Sequence, residues 1–189
     1  MPPKLKITKE EILDTALSLV RVNGASALNA RSIATALKCS TQPIFSNFAT
    51  MDELQNAVLA AAYEHYLSFL TAETDRGVYP PYKSFGMAYI RFAKEERELF
   101  HLLFLRDRSG KDLTPTADFE ASVDLIMNAN GVSRETAYLM HLEMWAFVHG
   151  IGTMHATSFL ALDEELISRM LSDVYLGLQA KHTQKEVQA

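Results

Sequence analysis

A single cysteine, Cys39, stands in the whole chain of 189 residues, so no internal disulfide framework and no cysteine-cluster zinc site can form. Glycine and proline are sparse, at eight and six residues, and no β-branched run alternates with polar residues between turn signals, which excludes a hairpin-built sheet. No window approaches eighteen uncharged apolar residues, which excludes an ordinary membrane helix. The opening MPPKLKITKEEI has neither the apolar run nor the small-residue cleavage site of a signal peptide, and a cytoplasmic protein is expected. H-E-x-x-H, a glycine-rich phosphate loop and a serine elbow are all missing. Cys39 has no histidine nearby in sequence and occupies an apolar turn position. His141, His149, His155 and Glu143 are the only cluster with the chemistry of metal ligands. On a helix, His155 falls nearly opposite His149, and Glu143 points away from His141. No enzyme, cofactor or metal is therefore expected.

What is present is apolar material at helical spacing: 48% of residues are hydrophobic and 22% charged, ample for a core. Charge is unevenly distributed. Residues 1–50 hold six Lys/Arg and three acids, and the remaining 139 hold twelve and twenty, for a net charge of −5. A small basic head on an acidic body suits a nucleic-acid contact confined to one end, with no membrane partner.

Nearly every segment reads as helix. Thr8 and Glu11 form a capping box, followed by Ile12, Leu13, Ala16, Leu17 and Val20 at helical spacing and a stop at Asn23-Gly24. A short helix is predicted from about Asn29 to Leu37, then a tight turn at Lys38-Cys39-Ser40. Ser40 is expected to cap a second short helix reaching about Phe48, with Ile44, Phe45 and Phe48 facing inward and Pro43 harmless in the first turn. Thr50 and Glu53 form another capping box and launch a long helix ending near Thr74. After a break at Arg76–Pro81, helix resumes at Tyr82 and continues past a kink near Lys94 to Leu105. A loop over Arg106–Pro115 precedes helices from about Thr116 to Asn130, from Ser133 to Ser158 and from Asp163 to Lys181. The fold class is all-α, with about nine helices. The expected division is a helix-turn-helix domain over 1–50, a helical effector-binding and dimerisation domain over 51–182, and a polar tail over 183–189.

Two short helices joined by a tight turn and braced by a longer one make a helix-turn-helix, whose second helix enters the DNA major groove. The outward positions there are Thr41, Gln42, Ser46 and Asn47, and amides suit adenine edges while threonine suits a thymine methyl. Gln42 is the first candidate for base readout. No Arg or Lys stands on this helix, so two-pronged guanine recognition is missing. Phosphate contacts are expected from Arg31, Lys38, Ser40 and Thr50, and from an arm carrying Lys4, Lys6 and Lys9.

Residues 9–55 resemble the N-terminal module of the TetR/AcrR family of transcriptional regulators. The resemblance rests on Ile12–Ala16, Gly24, Ile33-Ala34, Leu37, Cys39-Ser40, Ile44-Phe45, Phe48 and Thr50–Leu54. Lys38 stands where glycine usually closes the turn, Phe45 lacks the usual tyrosine hydroxyl, and Met51 replaces a common lysine. The last two changes remove phosphate contacts that the family pattern would supply. The resemblance implies a homodimer binding a palindromic DNA operator, most often as a repressor, released by a small, largely apolar effector. The alternative is a helical dimerising or adaptor protein whose helix-turn-helix does not read DNA.

In the body, Trp145-Ala-Phe-Val-His149-Gly150 resembles the W-x-x-x-H-G signature of one C-terminal subclass of that family. His141, Trp145 and His149 share one side of a helix, flanked by Met140 and Met144. With Phe85, Met87, Phe92, Phe100 and Phe104 opposite, they are the candidate effector pocket. The same spacing also describes a packed core, and sequence leaves both readings open. Gly150, Gly152 and Ala156 allow close helix approach, and with Ile167, Met170, Leu171, Val174 and Leu178 they form the candidate dimer interface.

Overall fold

The structure is a computed structural model that describes residues 7–107 and 117–187. Lys4 and Lys6, most of the loop expected over Arg106–Pro115, and the side chains of the expected tail lie outside the described residues. Helices α1 (Lys9–Asn23), α2 (Ala30–Ala36), α3 (Gln42–Asn47), α4 (Met51–Asp75), α5 (Pro81–Glu95), α6 (Arg97–Phe104), α7 (Ala117–Asn130), α8 (Arg134–Ala156) and α9 (Glu164–Val187) follow in order, with a 3₁₀ turn at Ala25–Ala27. No strand occurs among the described residues. The chain forms two compact units, one of Met1–Tyr66 with Glu96–Asp107 and one of Leu67–Glu95 with Arg108–Ala189.

In the first unit, the Thr8 capping box closes in both directions: Glu11 N–H donates to Thr8 Oγ1 at 3.1 Å and Thr8 N–H to Glu11 Oε2 at 2.8 Å. Ile12, Ala16 and Val20 of α1 are buried with Ile33, Ile44, Phe48, Leu54 and Leu99. The α5–α6 break falls at Glu96, whose φ of −113° and ψ of 48° interrupt the helix. Glu96 accepts two hydrogen bonds from Arg21 of α1 and lies 3.3 Å from His65 Nε2 of α4. Burial would raise the pKa of Glu96, but the bonds from Arg21 and His65 outweigh it and hold the carboxyl below its usual range. One carboxylate thus ties three helices around the helix-turn-helix.

In the second unit, α8 is flanked by α5, α7 and α9. Gly86 of α5 permits a close approach, since a Cβ there would come within 2.9 Å of Leu171 Cδ2. Arg91 joins α4 to α5 through Glu73 at 2.6 Å and α5 to α9 through Glu164 at 3.1 Å. α9 continues to Val187 rather than ending at Lys181, because no helix breaker follows Lys181.

Candidate functional site

The turn between α2 and α3 is a Schellman motif. Cys39 N–H donates to Ala34 O at 2.9 Å and Lys38 N–H to Thr35 O at 3.2 Å, and Lys38 takes the left-handed conformation with φ of 53°. This is the place where glycine is cheapest, and a lysine there carries backbone strain. The expected cap at Ser40 is corrected. Thr41 is the N-cap of α3, and no side chain closes that end, because a cap needs extended backbone and Thr41 has φ of −71° and ψ of −13°.

A second correction concerns Phe45. Ile44 and Phe48 are buried, one turn apart, while Phe45 is 49% exposed. A step of about 100° per residue carries position 45 off the face shared by 44 and 48 and onto the face of Gln42 and Ser46. That angle is the sequence signal for an outward ring, and it runs against the expectation that an aromatic in an amphipathic helix faces the core.

The proposed base-reading residues divide by what already engages them. Thr41 and Gln42 are exposed and have no side-chain hydrogen bond among the described residues. Ser46 Oγ donates to Gln42 O at 2.9 Å. The Asn47 amide donates to Pro43 O at 2.8 Å and to Ile7 O at 3.4 Å, which pins the segment before α1 to α3. Of the phosphate candidates, Arg31, Lys38 and Ser40 are exposed. Lys9 is held by Glu53 at 3.2 Å and over the Phe48 ring at 4.6 Å, a brace between helices. Thr50 Oγ1 accepts from Glu53 N–H at 3.1 Å, and Glu53 reaches back to Ala49 N–H at 2.7 Å.

In the second unit the histidine strip has partners that the sequence did not reveal. Tyr82 Oη lies 2.9 Å from His141 Nδ1, and Tyr89 Oη lies 2.8 Å from His149 Nδ1. Tyrosines seven apart on α5 face histidines eight apart on α8, so two helix turns repeat the same pair; that spacing was the missed signal. Trp145, 40% exposed, stacks on His149 with ring centroids 5.0 Å apart and planes 10° apart. Phe119 meets His141 edge-on at 4.3 Å. Burial pushes His141 down to about 4, against a smaller opposing effect of Asp118, and lowers His149 as well. Met87, Phe92, Met140 and Met144 are buried, and Phe85 is half-buried. Phe100 and Phe104 belong to the first unit, where they pack on each other at 5.2 Å. A recess lined by Glu73, Arg76, Tyr79, Ser84, Met87, Arg91 and Glu164, among others, has room for about one water molecule.

Of the candidate dimer residues, Gly150 is exposed and Met170, Val174 and Leu178 are half-buried. Gly152, Ala156, Ile167 and Leu171 are buried inside the protomer, so they are not available to a second copy; this part of the expectation is corrected. The helical period turns them toward α5 and the core, and the outward apolar side chains of α8 and α9 are Tyr138, Leu139, Leu142, Trp145 and Leu176. Among the described residues, no three His, Cys, Asp or Glu side chains are grouped as a metal site requires, and no helix is long and apolar enough to cross a membrane.

No protein-family model matches the chain, and no curated protein matches its sequence. Solved structures do match. A member of the TetR family from Streptomyces coelicolor A3 aligns with a TM-score of 0.58 and 19% identity over 88% of this chain and 96% of that one. A single-substitution variant of TetR from Acinetobacter baumannii AYE, in complex with minocycline, aligns with a TM-score of 0.57 and 16% identity over 94% of this chain and 99% of that one. The multidrug binding protein EbrR, complexed with imidazole, aligns with a TM-score of 0.58 and 20% identity over 88% of each chain. This chain therefore has the fold of the TetR-family proteins, with N-terminal helix-turn-helix segments followed by a helical body.

Proposed function

We propose that the protein is a ligand-responsive transcriptional regulator, a repressor that binds a palindromic operator as a homodimer and is released by a small, largely apolar effector. The observation that carries this reading is the exposed, unengaged pair Thr41 and Gln42 at the start of α3, presented by a helix-turn-helix inside a fold shared with TetR-family proteins. Residues 1–50 read DNA, and residues 51–182 dimerise and receive the effector. Two copies of α3 about 34–36 Å apart would meet half-sites one helical turn apart. Gln42 and Thr41 are the base readers, and Ser46 and Asn47 approach through the atoms their local bonds leave open. Arg31, Lys38 and the segment of Lys4, Lys6 and Lys9 meet phosphates, joined by Ser40 and Thr50.

Effector binding is supported by the solved structures of this fold that hold minocycline and imidazole. The W-x-x-x-H-G segment and the Trp145–His149 stack are the part of α8 proposed to meet the ligand. Met87, Phe92, Met140 and Met144 are packed, so a ligand of drug size has to open the seam between α5 and α8. Opening that seam at a cost met by ligand contacts is how binding shifts the population away from the DNA-competent state.

Selection of genomic fragments by the purified protein, at low and near-physiological salt, tests the reading. An enriched inverted repeat supports an operator-binding dimer, and no enrichment at either salt leaves the adaptor alternative. Gln42→Ala should weaken the selected operator about tenfold or more and leave random duplexes and the salt dependence unchanged. Equal loss on both kinds of duplex removes Gln42 from base readout.

A further inference from the structure

The exposed face of α3 has an unusual composition for a surface that meets a polyanion. Positions 42, 45 and 46 lie on one side of the helix, and they are an amide, a half-exposed phenyl ring and a hydroxyl. The hydroxyl of Ser46 already donates to Gln42 O, and the amide N–H of Asn47 is turned to Pro43 and Ile7. Gln42, Thr41 and the Phe45 ring are what the face has left to offer. The positive charge sits outside it, on Arg31 of α2 and Lys38 of the turn, both exposed and without an ion pair among the described residues. A charge-free, partly apolar centre inside a basic frame matches a groove whose phosphates lie at the rim and whose base edges lie in the middle.

The chemistry of the centre then selects among bases. Guanine offers two acceptors and is met by Arg or Lys, and residues 41–47 contain neither. Adenine offers an acceptor beside a donor, which matches the glutamine amide. The apolar group that base edges present in the major groove is the thymine 5-methyl, and Phe45 is the apolar side chain that this face presents. We propose that α3 reads an A·T-rich half-site, with the Gln42 amide on an adenine and the Phe45 ring against thymine 5-methyl groups. The inference rests on the operator-binding reading and specifies which bases that reading requires.

The test uses the purified full chain and a library of random duplexes, followed by affinity measurements on the enriched sequence with each thymine of the half-site replaced in turn by deoxyuridine. Deoxyuridine removes only the methyl group and keeps the base pair. Loss of one buried methyl contact should weaken the wild-type protein about fourfold at the contacted position. Phe45→Ala should bind the thymine and uracil duplexes alike, and Phe45→Leu should recover part of the difference. A half-site specified by G·C pairs overturns the proposal, as does a wild-type protein indifferent to every methyl. An equal methyl dependence in wild type and Phe45→Ala also overturns the Phe45 role, and the deoxyuridine series on wild type remains decisive even if the variant misfolds. Enrichment without A·T specification overturns this inference alone, whereas no enriched duplex at low salt overturns the operator reading with it.

Discussion

Lys38 holds a left-handed backbone, with φ of 53°, at the turn that aims α3. An L residue there is strained by about 1–2 kcal/mol, so Lys38→Gly should raise the stability to urea by about 1 kcal/mol. The same change should reduce the slope of log affinity against log salt by about one phosphate contact. A variant that is more stable yet binds DNA with an unchanged salt slope shows that Lys38 meets no phosphate. His141 is the other residue whose environment sets a measurable property. Its folded pKa of about 4 lies below the ordinary value of 6.5, so between those values the unfolded chain binds a proton that the folded chain does not. Stability must therefore fall as pH drops from 6.5 to 4 and level off below that, a loss on the order of 3 kcal/mol for this group. His149 and His155, both lowered by burial, add to the fall in the same direction. Urea unfolding at a series of pH values should show this slope, and His141→Gln should flatten it.

Among the helices, what matters is how they end and where they touch. α1 stops at Gly24, with φ of 76° and ψ of 177°, a conformation that only glycine adopts readily. A Cβ there would also lie 2.7 Å from Glu98 Oε2. Gly24→Ala should thus destabilise the protein by about 1–3 kcal/mol, measured by urea unfolding, and a loss below that range would mean the turn relaxes without strain. The stop itself was legible as Asn23-Gly24, since the dipeptide is a local signal. Phe45 shows the opposite case. Its hydrophobicity is a property of the residue, but its exposure follows from where Ile44 and Phe48 dock, and those contacts are remote in sequence. The Tyr82–His141 and Tyr89–His149 bonds were hidden for the same reason: neither helix alone says which helix it faces.

For the molecule as an assembly, the proposed dimer depends on apolar side chains left uncovered on α8 and α9. Tyr138, Leu139, Leu142 and Leu176 are exposed, and a charge placed among them is unpaired when a second copy docks. Leu142→Glu should give a monomer in sedimentation with the helical content kept, and its operator affinity should fall with the loss of the second half-site. A variant that stays dimeric places the interface elsewhere. The mixed fate of the expected interface follows from helical geometry. A helix with apolar residues on most sides has one face for its own core and another for a partner, and composition does not label them.

Local pattern alone established the all-α class, the capped start of α1, the helix-turn-helix and the order of helices, because caps, breakers and periodicity act over a few neighbouring residues. It also established that α3 carries no cation. Packing then chose which face of each helix is covered, and so turned Phe45 outward, turned Gly152, Ala156, Ile167 and Leu171 inward, and brought His141 and His149 to their tyrosine partners. Those outcomes depend on contacts between residues tens of positions apart, whose pairing is set by the fit of one helix surface against another.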